Sequence, residues 1–145
     1  MSPESIAIAA DHGGYKLKCA LKRRLTEDGF DVVDLGTDSE DSVDYPDFAG
    51  ALADAIRDGR SSRGVLLCGS GIGMSIAANR HPGVRAALVH DEEAARLARL
   101  HNDANVLVLG ARRIEPSVAE DCLHAFLTTP FEGGGRHERR VRKLA

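Results

Sequence analysis

A cysteine followed by a glycine-rich loop is the segment of this chain best suited to carry out chemistry. Residues 63–73 read RGVLLCGSGIG, in which an apolar run ends at Cys68 and three glycines follow it. The run is typical of a buried parallel strand, and residues 72–78 are predicted to form the next helix. Cys68 would then lie at the carboxyl end of a strand, beside main-chain N–H groups and a helix N-terminus that favour a thiolate. Many free cysteines are only small buried hydrophobic residues. Three glycines among the five residues after Cys68 are not needed for packing, however, so we favour a functional Cys68.

The spacing of the glycines excludes three familiar phosphate and cofactor sites. A dinucleotide-binding GxGxxG motif that starts at Gly69 would need glycine at position 74, which is Met74. A P-loop would need a closing Gly-Lys-Ser/Thr triplet, which does not occur here. A cysteine phosphatase loop has arginine six residues after the nucleophile, and Met74 occupies that place too. We therefore interpret Cys68 as an acid–base group.

The basic tail is the best candidate for binding phosphate. In a helical tail Arg136 and Arg140 would share one face, and two guanidinium groups match the oxygens of a phosphate monoester. A solvated tail, or one docked on acidic residues of a partner, fits the charge pattern equally well. His12, in the turn after Asp11, is either a phosphate donor at a helix N-terminus or a capping residue.

Two further positions carry weaker signals. His101, followed by Asn102, is a single histidine between a predicted helix and a predicted strand, where most histidines are surface residues. Tyr45 stands at the end of an acidic, turn-rich segment and is either a packing residue or a wall of a pocket.

Alternating strands and helices must position these groups. We predict five strands, at residues 6–10, 30–35, 65–68, 84–89 and 105–109. Helices are expected between the strands, after the fifth strand at 116–127, and in a short basic tail from about residue 133. Short apolar strands separated by helices imply a Rossmann-like, five-stranded parallel sheet in a three-layer α/β/α sandwich. The loops with chemical content would then meet at the carboxyl edge of the sheet.

The overall composition limits the classes of protein to consider. The length of 145 residues suits one domain with a sizeable core, and 43% hydrophobic and 28% charged residues are ordinary globular values. A net charge of −3 argues against nucleic-acid binding. Three widely spaced cysteines fit neither a disulfide framework nor a structural zinc site. Without a predicted signal peptide or membrane span, a cytoplasmic location is expected.

The segments together resemble the ribose-5-phosphate isomerase B family, which also includes allose- and galactose-6-phosphate isomerases. The resemblance runs nearly from end to end, and the segments GVLLCGSGIGMSIAANR (64–80) and HNDANVLVLGAR (101–112) are its most specific parts. It also covers residues 6–18, 33–49 and 131–144. The resemblance implies a metal-free aldose–ketose isomerisation through a cis-enediolate, without a cofactor.

The resemblance also implies roles for individual residues. Cys68 would be the base that moves a proton between C1 and C2, since the glutamate used by some members stands six positions later, at Met74 here. His101 would assist opening of the furanose ring, with Asp11 on the ring oxygen or a hydroxyl. The enediolate oxygens would be stabilised by Ser70 and by the N–H groups of Gly69, Gly71 and Gly73. The remaining substrate contacts would come from His12, Tyr45, Asn102, Arg112, Arg136 and Arg140, with His12 and the arginines on the phosphate.

Members of this family form dimers or tetramers with sites at the subunit interface, so we expect a homodimer or homotetramer. His101 and the arginine tail could then serve different pockets. The expected substrate pair is ribose 5-phosphate and ribulose 5-phosphate. A related isomerase for allose 6-phosphate, galactose 6-phosphate or a tetrulose phosphate is the alternative, and a non-catalytic sugar-phosphate sensor is a further one.

Overall fold

A five-stranded parallel sheet forms the centre of the protein in this computed structural model, which describes residues 2–144. The strands are β1 (Ser5–Ala10), β2 (Asp31–Asp34), β3 (Arg63–Cys68), β4 (Ala86–Leu88) and β5 (Val106–Gly110). Their order across the sheet is β2-β1-β3-β5-β4, and every neighbouring pair is parallel. The predicted parallel sheet is confirmed.

Helices cover both faces of the sheet. They are α1 (Tyr15–Glu27), α2 (Tyr45–Arg57), α3 (Ile72–Ala78), α4 (Glu92–Asn102), α5 (Pro116–Thr128) and α6 (Arg136–Arg142). Alternate strand residues point to opposite faces, so Ile6 and Ile8 pack with α1, α4 and α5, whereas Ala7 and Ala9 pack with α2 and α3. This arrangement confirms the three-layer sandwich. Within residues 2–144, every helix is too short or too polar to span a bilayer.

The central strand β3 differs from both of its neighbours in where the chain goes next. After β1 and β5 the chain passes to α1 and α5 on one face, whereas after β3 it passes to α3 on the other face. Where neighbouring parallel strands send their connections to opposite faces, the loops diverge and leave a crevice at the carboxyl edge. Cys68, the last residue of β3, therefore stands between two such divergences.

The two edge strands are shorter than predicted. The N–H of Phe30 donates to the carbonyl of Leu25 at 3.1 Å, which closes α1, so β2 begins one residue later. The N–H of Arg85 donates to the side-chain oxygen of Asn105 at 2.8 Å, so β4 begins only at Ala86. In both places a competing acceptor, the carbonyl of Leu25 in one and the side chain of Asn105 in the other, takes the main-chain donor that a longer strand would have used.

Candidate active site

Three loops that follow adjacent strands meet at the carboxyl edge of the sheet. The N–H of Asp11 donates to the carbonyl of Leu67 at 3.2 Å, and the N–H of Arg112 donates to the carbonyl of Gly69 at 2.9 Å. A Cβ atom placed on Gly13 would lie only 3.1 Å from the nitrogen of Gly69, so these two loops touch directly. The connections after β1, β3 and β5 are thus tied together by their own main chains.

Cys68 is held at the centre of this edge by the loop that follows it. Its side chain is only 5% exposed and packs among apolar residues on the face covered by α2 and α3. Its Sγ atom accepts the N–H of Gly71 at 3.1 Å. Gly71 has φ of 79°, and a Cβ there would lie 2.5 Å from Leu88 Cδ1, so only glycine fits this turn. The thiol is both packed and paired with a main-chain donor that stabilises a thiolate.

The rest of the glycine loop is less open than the resemblance implies. The N–H of Gly71 already has Sγ as its acceptor, and the Oγ of Ser70 accepts the N–H of Ile72 at 3.2 Å. Gly73 lies directly beneath Tyr45, since a Cβ at this position would be 2.7 Å from Cζ of the ring. Tyr45 therefore packs on the loop and remains partly exposed, as a pocket wall would be.

His12 and Asp11 are fixed by main-chain donors. The Oδ1 atom of Asp11 accepts the N–H of Gly13 at 2.9 Å and begins a short 3-10 turn over His12–Gly14. The Nδ1 atom of His12 accepts the N–H of Val43 at 3.2 Å, which leaves Nε2 as the nitrogen that carries the proton in the neutral ring. Sequence reasoning missed Val43, because a main-chain donor 31 positions away leaves no pattern in side-chain types.

A positive charge lies over the same edge. The guanidinium of Arg112 lies against the glycine loop, with Nη1 3.0 Å from the position of a Cβ on Gly69. The loop after β5 therefore carries a charged donor beside Gly69, the residue that follows Cys68. The members of this cysteine cluster share the carboxyl edge of the sheet: Asp11, His12, Tyr45, Cys68, Gly69, Ser70, Gly71, Gly73 and Arg112.

The remaining predicted site residues lie at the opposite edge. Helix α4 starts beyond the carboxyl end of β4 and returns along the sheet, so its last turn, with His101 and Asn102, stands beside the start of β5. Arg136 and Arg140 are exposed on α6, which packs against α4. We call His101, Asn102, Arg136 and Arg140 the histidine cluster. The five residues of β5 separate it from the cysteine cluster by about 15 Å.

His101 and the arginine tail, which the resemblance allows to serve different pockets, are neighbours in the structure. The rings of His101 and His137 stack with centroids 4.0 Å apart and an angle of 9° between their planes. Partial burial lowers the pKa of His137, and the adjacent His101 and Arg136 lower it further. Sequence reasoning missed His137, because its partner comes from a distant helix.

Two clefts of the described residues lie away from Cys68. One, of about 480 Å³, lies beside Asn102 and is bordered by Val141 of α6 and by Leu144, which follows that helix. The other opens between Lys22 and Phe48, near Asp34. Among the described residues of a single chain, the two clusters thus lie at opposite ends of β5, and neither of these clefts joins them.

Comparison with known proteins assigns the family. The model of the ribose/galactose isomerase family matches residues 6–144. The chain is 40% identical to ribose-5-phosphate isomerase B of Escherichia coli over 141 residues, which cover 97% of this chain and 94% of that protein. It is 47% identical to D-erythrulose-4-phosphate isomerase of Pectobacterium atrosepticum over 132 residues, 90% of this chain and 87% of the relative.

A solved structure gives the same result. The ribose 5-phosphate isomerase of Thermotoga maritima superposes with a TM-score of 0.94 at 52% identity, over 97% of both chains. The resemblance noted from the sequence segments is therefore confirmed over nearly the whole chain. This protein belongs to the ribose/galactose isomerase family and is an enzyme of the aldose–ketose isomerase class.

Proposed function

We propose that the protein interconverts ribose 5-phosphate and ribulose 5-phosphate by metal-free proton transfer through a cis-enediolate, with Cys68 as the base. The observation that carries this proposal is the position of Sγ, which accepts the N–H of Gly71 at the edge where three strand-end loops converge. The N–H of Gly71 would donate to the sulfur in its thiolate form as well.

Proton transfer next to a carbonyl also needs a place for negative charge. When the thiolate takes the proton from C2, the electron pair moves to the carbonyl oxygen and forms the enediolate. Donors from the loop at Gly69 and Ser70 are adjacent to Sγ and are suited to hold that oxygen. Removal of one such donor typically costs about 10²- to 10³-fold in kcat. The O2 hydroxyl then gives its proton to O1, and protonation of C1 by the Cys68 thiol, as the C2 carbonyl forms, completes the isomerisation and restores the thiolate.

The phosphate would be bound by groups that cannot all come from one chain. From C1 to phosphorus, ribose 5-phosphate has six bonds of about 1.5 Å, so it spans at most about 9 Å. This is less than the distance of about 15 Å between the two clusters. We infer that His12 and Arg112 of one copy act together with Arg136 and Arg140 of a second copy, whose His101 opens the sugar ring.

The surface beside the cysteine cluster supports this assembly. Ile72 and Ile76 lie one turn apart on α3 and are 57% and 59% exposed, next to the partly exposed Tyr45. Large apolar side chains grouped at a candidate site indicate a surface that another chain covers. A homodimer or homotetramer with shared sites would cover this surface and bring the two clusters together.

A second substrate class has a specific observation in its favour. The relative from Pectobacterium atrosepticum, named as an isomerase of a four-carbon sugar phosphate, is more similar in sequence than the ribose-5-phosphate isomerase B of Escherichia coli, at 47% against 40% identity. The same base and loop would serve either substrate, because the reacting carbons are C1 and C2 in both. Erythrulose 4-phosphate is therefore the alternative to test first, ahead of allose 6-phosphate and galactose 6-phosphate.

Incubation with a panel of four-, five- and six-carbon aldose phosphates in D₂O tests the reaction itself. We expect deuterium at C2, followed by NMR, to appear fastest with ribose 5-phosphate, and not at all with the Cys68→Ala variant. Faster exchange with a four-carbon substrate would select the alternative. Absence of both deuterium exchange and ketose formation with every sugar phosphate would refute the proposed isomerase chemistry.

A further inference from the structure

A group of potential metal ligands lies at the end of α4. It combines His101, which has a role in the proposed isomerisation, with Glu132 and His137, which have none. Among the residues that the structure describes, His101, Glu132 and His137 place one ligand atom each within 4.8 Å of the others. They come from three separate segments: the last turn of α4, the linker after α5 and the first turn of α6. No local spacing in the sequence reveals this arrangement.

We propose that the His101–Glu132–His137 triad binds a transition-metal ion of the zinc class, such as Zn²⁺, Co²⁺ or Ni²⁺. Two imidazoles and one carboxylate form a three-ligand set that leaves a coordination position open, as in many zinc sites. Imidazole nitrogen selects these ions over Mg²⁺ and Ca²⁺, which prefer oxygen. The triad thus specifies a chemical class of ion.

Main-chain and side-chain bonds hold two of the three ligands close together. The N–H of Glu132 donates to the carbonyl of Leu100 at 3.0 Å, and Nε of Arg99 donates to the carbonyl of Thr129 at 3.1 Å. The linker is therefore tied to the last turn of α4, which carries His101. Helix α6 has no buried residue of its own, so an ion bound to His137 would add a strong link between α6 and the body of the protein.

The stacked rings must turn to share one ion. Imidazole lone pairs lie in the ring plane, whereas His101 and His137 are stacked nearly parallel, with centroids 4.0 Å apart. His137 stands in the first turn of an exposed helix, so it can turn at small cost.

Positive charge near the triad makes it more selective for Zn²⁺ over Mg²⁺. Arg136 comes directly before His137, and Arg140 lies one turn further along the same short helix, so positive charge lies near the triad. That charge repels cations, so an ion attracted only by the carboxylate of Glu132 gains little here. An ion that forms bonds to both imidazoles overcomes the repulsion, so we expect Zn²⁺ to bind and Mg²⁺ not to bind.

A consequence for catalysis rests on the proposed function. Since His101 is the group proposed to open the sugar ring, an ion on its lone pair would remove that group from the reaction. The triad would then be an inhibitory site, through which zinc-class ions reduce turnover.

Calorimetric titration of the intact, chelator-treated protein with Zn²⁺ at neutral pH, without substrate, tests the site. We expect one ion per chain, and at least a ~10-fold loss of affinity for Zn²⁺ in Glu132→Gln and in His137→Gln. Loss of a residue that only hydrogen-bonds to a metal ligand already costs about 10-fold in metal affinity, and loss of the ligand itself costs more. His124→Gln, an exposed histidine on α5, is the matched control and should bind as the parent does. Unchanged affinity in both triad variants, or no binding by the parent, would overturn the proposal.

A spectrum of the parent protein with Co²⁺ gives a second test that needs no variant. Weak visible bands without an intense thiolate charge-transfer band would support histidine and carboxylate ligands. An intense thiolate band would place the metal on a cysteine and contradict the proposal. Zn²⁺ should also inhibit turnover. Zn²⁺ binding that depends on the triad but leaves turnover unchanged would support the site and contradict only the role of His101.

Discussion

The cysteine cluster and the histidine cluster differ in how firmly the fold holds them. The cysteine cluster stands at the ends of three adjacent central strands, where main-chain hydrogen bonds join one loop to the next. The histidine cluster stands at the end of α4 and on α6, a helix without buried residues. Few buried contacts mean low local stability. In the proposed function, proton transfer, which depends on precise geometry, falls to the rigid region, whereas ring opening and part of the phosphate binding fall to the loosely attached one.

The largest expected effect is the loss of the base. Cys68→Ala should reduce kcat by at least about 10³-fold, within the range of positioned acid–base catalysis, while binding of phosphate survives. Steady-state kinetics and calorimetric titration with inorganic phosphate measure the two properties separately.

Cys19→Ala is the matched control, because Cys19 is a half-buried cysteine on α1, away from the loop. Cys122 cannot take over the role of the base, since burial raises the pKa of its thiol to about 11. Appreciable isomerisation by Cys68→Ala would remove Cys68 from the mechanism.

The second prediction tests whether the cysteine cluster of one copy and the histidine cluster of another copy form one active site. The Cys68→Ala and His101→Ala variants should each be impaired, but a mixture that is unfolded and refolded together should regain activity. In a dimer with shared sites, half of the molecules are hybrids, and one of the two sites in each hybrid is intact. About a quarter of the parent activity is therefore expected.

Mixing the two variants without subunit exchange is the control. If the co-refolded mixture forms hybrids but stays as inactive as its components, each site is built from one chain.

A smaller effect separates the roles within the histidine cluster. Arg136→Ala should raise KM by roughly 10-fold, about the 1.4 kcal/mol expected for one charge-assisted contact. His101→Ala should lower kcat and change KM much less, because ring opening belongs to the reaction rather than to phosphate binding. Steady-state kinetics with the same substrate compare them. Arg139→Ala, an exposed arginine of α6 without an assigned role, is the control for general charge. Equal changes in KM for Arg136→Ala and His101→Ala would contradict the separation.

The smallest effect concerns the stacked histidines. His137 should titrate below 6.5 in an NMR pH series of the parent protein, because partial burial and the nearby His101 disfavour its charged form. The folded protein thus binds fewer protons than the unfolded chain near this pH, so this group destabilises the fold as the pH falls through 6.5. His101→Ala should raise the midpoint of His137 without restoring it fully, since burial is the larger cause. A midpoint that does not move would show that the rings do not interact in solution.

Much of the fold and part of the site follow from local patterns. The apolar run that ends at Cys68 predicted β3, and the glycines after it predicted a tight loop, because strand burial and left-handed turns leave direct traces in residue types. The edge strands were predicted too long, since the competing acceptors are side chains such as Asn105 and carbonyls such as that of Leu25. The hydrogen bond from the Val43 N–H to His12 and the stacking of His101 on His137 leave no pattern in the residue types, so the sequence did not predict them.

The sequence by itself determined the element types, the parallel sheet and the chemistry available at each strand end, because these depend on residues that are close in the chain. Only the tertiary structure decided that β3 lies between β1 and β5, which makes Cys68 the centre of the carboxyl edge. It also decided that His101 lies a strand length away and beside α6. Such placements depend on the order of the strands and the direction of each helix, which are set by packing the whole chain around one core.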